Sequence, residues 1–212
     1  MKSRVLVICG DIWHPAEIIR RGLAPVENFG FAFTFLAENE KWPAKKPGDF
    51  SVIVLARANL ISATDEREWL TADLELAFEN HLRAGKGLLV IHAGTSRYEK
   101  SATMNSLIGG ALVSHPEPCA VTIEPKPSHA LTADVKTFTV RDEHYFMAMK
   151  DANAEIFLRS HSKHGAQPAG WTRAEGKGRV CVLTPGHTLE VWLHPEFQKL
   201  LLNALRWTAK LN

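Results

Sequence analysis

Four short apolar runs, each followed by a polar segment, divide the first hundred residues of the chain. They cover residues 4–9, 31–36, 51–56 and 87–91. Runs of this length that are apolar throughout and rich in Val, Ile and Leu are typical of strands buried on both faces, as in a parallel sheet. We therefore expect the strands at Val5, Val52 and Leu88 to be adjacent and parallel, with helices on both sides.

Amphipathic stretches between and after these runs predict helices. Pro15 suits the first turn of a helix that extends to about Asn28. Thr64 is predicted to cap a second helix, whose first turn contains Asp65 and Glu66 and whose apolar stripe is Leu70, Leu74, Ala77, Phe78 and Leu82. A last helix begins at Pro195. Strands alternating with helices predict an α/β fold of three α/β/α layers around a mainly parallel sheet.

The second half of the chain is less regular. Residues 121–123 and 138–140 alternate apolar and polar side chains, which predicts edge strands, and further strands are expected at 156–159, 170–172 and 179–183. No repeat or linker interrupts the sequence. A chain of 212 residues suits one domain, so residues 1–212 are expected to form a single domain.

The composition argues against several classes of function. Lys and Arg total 25 against 23 Asp and Glu, and the one basic cluster, residues 41–46, is typical of a solvated loop, so no nucleic-acid partner is expected. No apolar stretch has the length of a membrane-spanning helix. The cysteines Cys9, Cys119 and Cys181 are too widely spaced for a CxxC metal site. We expect a cytoplasmic protein with no membrane partner.

Polar side chains follow the predicted strands. Ligands of open parallel sheets bind outside the carboxyl ends of the strands. The residues at those ends are Asp11, Trp13 and His14 after the first strand, Arg57 and Asn59 after the third, and His92 at the fourth. If the later strands run in the same direction, the same edge also receives Glu143, His144, Tyr145 and His187. His81, in contrast, is typical of a solvated helix position.

The turn after the fourth strand is where many α/β enzymes place a nucleophile. Here it is occupied by His92, and no G-x-S-x-G surrounds the nearby Ser96. A Ser-His-Asp hydrolase is therefore disfavoured. Imidazole is instead a good proton donor or acceptor near neutral pH.

Several motifs along the chain together resemble the ThuA-like family, named for trehalose utilisation. They are the segments 87–92, Gly109-Gly110, His115-Pro116, 129–132, 142–145, 178–180, 186–188, 195–197 and 203–207. The resemblance implies a flavodoxin-like fold of the class I glutamine amidotransferase type. It also implies that His92 stands where those enzymes keep a cysteine. Glutamine amidotransferases of this type also use a His-x-Glu pair. In this chain His187 is followed by Thr188 and Leu189, so the pair is missing and glutaminase activity is not expected.

The resemblance further implies an enzyme of carbohydrate metabolism that binds or transforms a sugar or keto-sugar. The acid–base residues would be His92, Glu143 and His187. Aromatic faces for a sugar ring are offered by Trp13, Tyr145 and Trp192, and polar contacts to its hydroxyls by Asp11, His14, Arg57 and Asn59.

Two alternatives stay open. A metal-dependent hydrolase or lyase would use zinc or another divalent ion, with ligands drawn from His14, His92, Glu143, His144 and His187. A sugar-sensing or partner-binding module would keep the fold without the chemistry. The sequence leaves a homo-oligomer open.

Overall fold

The computed structural model describes residues 2–37, 49–61 and 65–211. Eleven strands are present in these residues: Ser3–Cys9 (β1), Phe31–Leu36 (β2), Val52–Ala56 (β3), Gly87–Ile91 (β4), Gly110–Ser114 (β5), Cys119–Pro125 (β6), Phe138–Asp142 (β7), Phe146–Met149 (β8), Glu155–Ser162 (β9), Gly165–Glu175 (β10) and Gly178–Leu183 (β11). The α-helices of the same residues are Ala16–Leu23 (α1), Ala72–Arg83 (α2), Ala102–Ile108 (α3), Leu189–Leu193 (α4) and Pro195–Thr208 (α5).

Nine of these described strands form one sheet in the order β2-β1-β3-β4-β11-β10-β9-β6-β7. The first five are parallel, and β1, β3 and β4 are adjacent, as the apolar runs predict. From β11 onward each strand is antiparallel to its neighbour. Four reversals separate β11 from β7, so β7 runs in the same direction as the parallel strands. Its carboxyl end therefore lies at the same edge of the sheet as theirs.

Helices cover both faces of the sheet, which confirms the three-layer α/β/α prediction. On one face Val5, Val54 and Leu89 pack with Leu23 of α1 and Leu201 of α5. On the other face the alternate strand positions join residues of α2 and α3 in a second core, among them Leu6, Ile53, Leu88, Phe78, Leu82, Met104 and Leu107. Because successive side chains of a strand point to opposite faces, strands that are apolar throughout supply both cores.

The second helix begins later than the sequence suggests. Thr71 is its N-cap and accepts a hydrogen bond from the backbone N–H of Leu74 at 3.4 Å. Asp65 and Glu66 precede the helix, whereas they were expected in its first turn. The predicted cap, Thr64, and the basic cluster at 41–46 lie outside the described residues. The first helix ends at Leu23 and continues as a 3₁₀ helix over Ala24–Phe29.

Two other local predictions are wrong. His81 is only 3% exposed, and its Nε2–H donates to the Gly87 carbonyl at 3.0 Å, so it joins α2 to β4 and is not solvated. Strand β6 is not at an edge, because β7 pairs with it on one side and β9 on the other.

No helix within the described ranges has the length and apolar character needed to cross a membrane.

Candidate metal centre and cleft

One edge of the sheet gathers four potential metal ligands from four different strand ends. His14 follows β1, His92 follows β4, Glu143 follows β7 and His187 follows β11. One ligand atom from each lies within 4.8 Å of the other three. Oε2 of Glu143 is 3.3 Å from Nε2 of His92 and 3.3 Å from Nδ1 of His187. Residues that are distant along the chain thus form one compact cluster.

The ring nitrogens that face this cluster lack hydrogen-bond partners among the described residues. They are Nε2 of His14, Nε2 of His92 and Nδ1 of His187, and all three atoms are buried. The contacts of His92 and His187 with Glu143 are close but do not have hydrogen-bond geometry. Buried polar groups are nearly always paired, because leaving one unpaired costs free energy. Three such atoms around one carboxylate therefore point to a bound group that satisfies them together.

In His14 and His92, the ring nitrogen that faces away from the cluster, Nδ1, forms a hydrogen bond with the protein. Nδ1–H of His14 donates to Asp11 at 2.8 Å, and Nδ1–H of His92 donates to the Thr184 carbonyl at 2.7 Å. Each bond places the proton on Nδ1 and leaves the Nε2 lone pair directed into the cluster. Metal-binding histidines are typically oriented in this way by a carboxylate or a carbonyl.

His92 begins a tight 3₁₀ turn, His92–Thr95, directly after β4. Its φ of 47° lies in the left-handed region, which costs a non-glycine residue about 1–3 kcal/mol. The Thr95 hydroxyl donates to the His92 carbonyl at 2.9 Å and closes the turn. The surrounding fold thus holds the imidazole in a position that the backbone alone would avoid.

The loop that carries His187 is anchored by Asp142, the last residue of β7. Its carboxylate accepts hydrogen bonds from the backbone N–H groups of Gly186 and His187, both at 3.0 Å. Trp192 of α4 donates from Nε1 to the Gly186 carbonyl at 2.8 Å. These bonds connect the loop of His187 to β7, which Glu143 follows, and to helix α4.

The protonation states suit metal ligands. Burial lowers the pKa of His92 to about 4, although Glu143 and the bond to the Thr184 carbonyl oppose the shift. Burial also lowers the pKa of His187. For Glu143, burial acts to raise the pKa, but the neighbouring His92 and His187 outweigh it and lower the pKa. Near neutral pH, His92 and His187 are neutral and Glu143 is ionised, which are the forms that bind metal ions.

A cleft of about 260 Å³ opens beside the cluster. Its lining residues are Trp13, His14, Ser96, Arg97, Leu112, His115, Glu143 and Tyr145. The Tyr145 ring stacks on His92 at a centroid distance of 4.1 Å and on His115 at 5.5 Å, and it is only 3% exposed, so it supports these histidines and has no free face for a sugar ring. Trp13, in contrast, is 46% exposed. The cleft thus combines an aromatic face, hydrogen-bonding groups and the cluster, as a site for a small polar molecule requires.

Several predicted site residues lie elsewhere. Trp192 is 1% exposed and packs in the core, where it cannot stack on a ligand. Arg57 and Asn59 are buried, and they bond the backbone of Leu60 and Leu70 respectively. Asp11 is also buried and organises its own loop. Its Oδ1 accepts from the backbone N–H of His14 at 3.0 Å, so its role toward any ligand is indirect.

His144, a predicted metal ligand, lies outside the cluster. Both of its ring nitrogens share hydrogen bonds with serine hydroxyls, Nδ1 with Ser162 at 2.7 Å and Nε2 with Ser160 at 3.0 Å. Adjacent residues in an extended segment point in opposite directions, so the chain cannot present Glu143 and His144 to the same centre.

Sequence reasoning missed His115 and Arg97 as lining residues of the cleft. His115 follows β5, which pairs only with β8 in a separate two-stranded sheet of the described chain. Its Nδ1 lies 3.8 Å from Oε1 of Glu143. The His115-Pro116 dipeptide was a usable signal, but its placement depends on the pairing of β5 with β8, two strands that are distant along the chain and that no apolar pattern predicts.

The fold and the site define a class of protein: a flavodoxin-like α/β/α domain with a cluster of three histidines and one glutamate where its parallel strands end. The chain belongs to the ThuA family, described as trehalose utilisation, whose model matches residues 4–208. This membership supports a role in carbohydrate metabolism. A search of curated proteins finds no match.

Solved structures share the fold at low sequence identity. A ThuA-like protein from Parabacteroides merdae ATCC 43184 is 16% identical, with a TM-score of 0.80 over 99% of this chain and 90% of its own. A ThuA-like protein from Bacteroides uniformis ATCC 8492 is 20% identical, with a TM-score of 0.71 over 97% and 91%. A cytoplasmic protein from Salmonella typhimurium LT2 is 12% identical, with a TM-score of 0.76 over 97% and 99%.

Proposed function

We propose that this protein is a metal-dependent enzyme of carbohydrate metabolism. His14, His92, Glu143 and His187 would hold one divalent cation such as Zn²⁺, and the adjoining cleft would bind a sugar or keto-sugar. The observation that carries the proposal is the convergence of three buried, unpartnered imidazole nitrogens on one carboxylate.

The donor set suits zinc, which accepts neutral imidazoles and carboxylates in tetrahedral sites. In a tetrahedral site, ligand atoms about 2.0–2.2 Å from the ion lie about 3.3–3.6 Å from one another. The four ligand atoms of the cluster lie within 4.8 Å of one another, so on binding the widest pair would approach by up to about 1.5 Å. The bonds from Asp11 to His14 and from Thr184 to His92 supply the outer support that such sites use.

A divalent ion held by these four side chains would need a fifth position on the cleft side, where it would polarise a substrate carbonyl or lower the pKa of a bound water. The chain supplies the remaining functions. Trp13, which is 46% exposed, offers an apolar face to a sugar ring on the cleft side of the cluster. Nδ1–H of His115 donates to the Pro116 carbonyl at 3.1 Å, so the Nε2 lone pair is available to bond a substrate hydroxyl.

A metal-free acid–base enzyme is the second candidate, and the contact between His92 and Glu143 favours it. The Thr184 carbonyl keeps the ring oriented through Nδ1–H, so Nε2 can accept a proton from a C–H next to a keto group, and the carboxylate 3.3 Å away would stabilise the imidazolium that forms. The same residues serve both candidates, so metal content distinguishes them. A non-catalytic module would bind sugars without turnover.

The test is metal analysis of the purified protein and of matched variants by inductively coupled plasma mass spectrometry. We expect about one divalent ion per chain in the wild type, and its loss in His14→Ala and His187→Ala. His164→Ala is the control, because that histidine lies on an exposed turn away from the cluster. A metal-free wild type that does not take up added Zn²⁺ would contradict the metal centre and leave the acid–base candidate.

A further inference from the structure

Arg97 forms part of the cleft wall but has no role in the proposed metal centre. Its side chain is 40% exposed, and its guanidinium lies 5.4 Å from the centroid of the Trp13 ring. The cation and the aromatic face therefore form one continuous surface at the mouth of the cleft. An arginine stacked on an aromatic ring keeps its N–H groups available at the edges of the guanidinium plane.

The backbone of Arg97 is held in an unfavourable conformation. Its φ of 64° lies in the left-handed region, which is unfavourable for a residue other than glycine. Both backbone polar groups of the preceding residue, Ser96, form hydrogen bonds. The Ser96 N–H donates to Ala93 at 3.0 Å, and the Ser96 carbonyl accepts from the Asn59 N–H at 3.1 Å. The fold thus imposes the position from which the guanidinium reaches the cleft.

The ion pair of Arg97 within the protein is a weak one. Its partner is Oε2 of Glu66 at 3.1 Å, and the side chain of that glutamate is 73% exposed. Exposed pairs of this kind contribute little to stability because both charges remain hydrated. A carboxylate or phosphate of a ligand can therefore replace Glu66 at little cost and be held by the guanidinium fork.

Arg97 is the charged group that an anionic ligand meets at the mouth of the cleft. The carboxylate that faces the cleft is Glu143, and its Oε2 is directed to His92 and His187. The buried carboxylate of Asp11 lies behind His14, so Glu143 and Asp11 together can balance a divalent ion and leave Arg97 to bind the anion. The cleft of about 260 Å³ is smaller than the sites of drug-sized ligands and suits a single sugar unit.

We propose that Arg97 is an anion-binding residue and that the substrate is a single sugar unit carrying a carboxylate or phosphate group. The sugar ring would lie against Trp13, with its reactive end toward the histidine cluster and its anionic group on Arg97. This substrate assignment rests on the proposed function, since it places the reacting atoms at the metal centre.

The experiment is a calorimetric titration of the zinc-loaded protein with D-glucuronate, D-glucose 6-phosphate and D-glucose. We expect at least one of the anions to bind more tightly than D-glucose. Arg97→Met should weaken that anion roughly 10- to 100-fold, the effect of losing a hydrogen-bonded charge contact. Comparison of the two anions identifies the charged group. The matched control is Arg67→Met, because Arg67 pairs with Asp65 on the surface and should leave all affinities unchanged.

The proposal is overturned if Arg97→Met binds both anions as the wild type does, if D-glucose binds as tightly as the tighter of the two anions, or if neither anion binds. Metal content, measured on the same samples, separates this failure from that of the metal centre. Retained zinc with anion affinity independent of Arg97 overturns only the anion assignment. If the wild type takes up no zinc, the metal centre fails, and the same titrations on the metal-free protein still decide the role of Arg97.

Discussion

Nε2 of His92 lies 3.3 Å from Oε2 of Glu143, although the two residues follow strands that are far apart in the sheet. The connection is made by Asp142, whose carboxylate binds the backbone of Gly186 and His187 after β11. The alternating directions of the antiparallel strands thus place Glu143, which follows β7, at the edge where the parallel strands end. The cluster depends on both halves of the sheet.

Asp11 should control metal affinity without touching the metal. Asp11→Asn weakens the support of His14, because an amide is a poorer acceptor than a carboxylate for the Nδ1–H bond. Loss of such outer support typically costs about 10- to 100-fold in metal affinity. Competition with a chromophoric chelator measures the change. Asp65→Asn, on the surface, is the control, and equal zinc affinity in the two variants would disprove the role of Asp11.

Gly94 should be required for the turn that presents His92. A Cβ at this position would collide with the backbone carbonyl of Leu55 and lie 2.8 Å from Cγ1 of Val90. We expect Gly94→Ala to lower the free energy of unfolding by about 1–3 kcal/mol and to reduce zinc affinity, because the turn must move away from β3. Urea denaturation and chelator competition measure the two effects. An unchanged unfolding midpoint together with unchanged affinity would contradict this account of the turn.

Trp192 and Trp13 should respond differently to substitution, although the sequence suggests the same role for both. Trp192→Phe removes the bond to the Gly186 carbonyl and should cost about 1–3 kcal/mol of stability. Trp13→Ala, at the exposed mouth of the cleft, should change stability by no more than about 0.5 kcal/mol. Guanidinium denaturation of both variants makes the comparison. The reverse order of stabilities would place Trp13 in the core and Trp192 in the site.

The cysteines should be dispensable for metal binding. Cys9 and Cys181 are buried in strands, and none of the three cysteines belongs to the four-residue cluster. Burial also raises the pKa of the Cys181 thiol, which keeps it protonated and a poor ligand. We expect Cys181→Ala to lose about 1 kcal/mol of stability and to keep its full zinc content. Loss of zinc in any folded single Cys→Ala variant would contradict the assignment of ligands.

Much of the cluster could be predicted from the sequence, because strand ends of a parallel sheet share one edge. His14, His92 and His187 follow apolar runs that form adjacent parallel strands or their close neighbours. Glu143 reaches the same edge for a different reason, since β7 is separated from β11 by an even number of reversals. The sequence pattern did not predict that count.

The remaining predictions failed where side-chain direction mattered. Position after a strand does not determine whether a polar side chain faces a ligand or the protein's own backbone. Arg57 and Asn59 bond nearby backbone groups, and His144 faces the opposite side from Glu143. His115 was missed because its approach to Glu143 depends on the β5–β8 pair, whose strands have no distinctive apolar pattern.

The most direct test of the account is a crystal structure of the zinc-loaded protein with anomalous data collected on both sides of the zinc absorption edge. We predict one anomalous peak among the four ligands, about 2.0–2.2 Å from Nε2 of His14, Nε2 of His92, Nδ1 of His187 and a carboxylate oxygen of Glu143. A structure in which this position holds no zinc and Nε2 of His92 is hydrogen-bonded directly to Glu143 would contradict the metal centre.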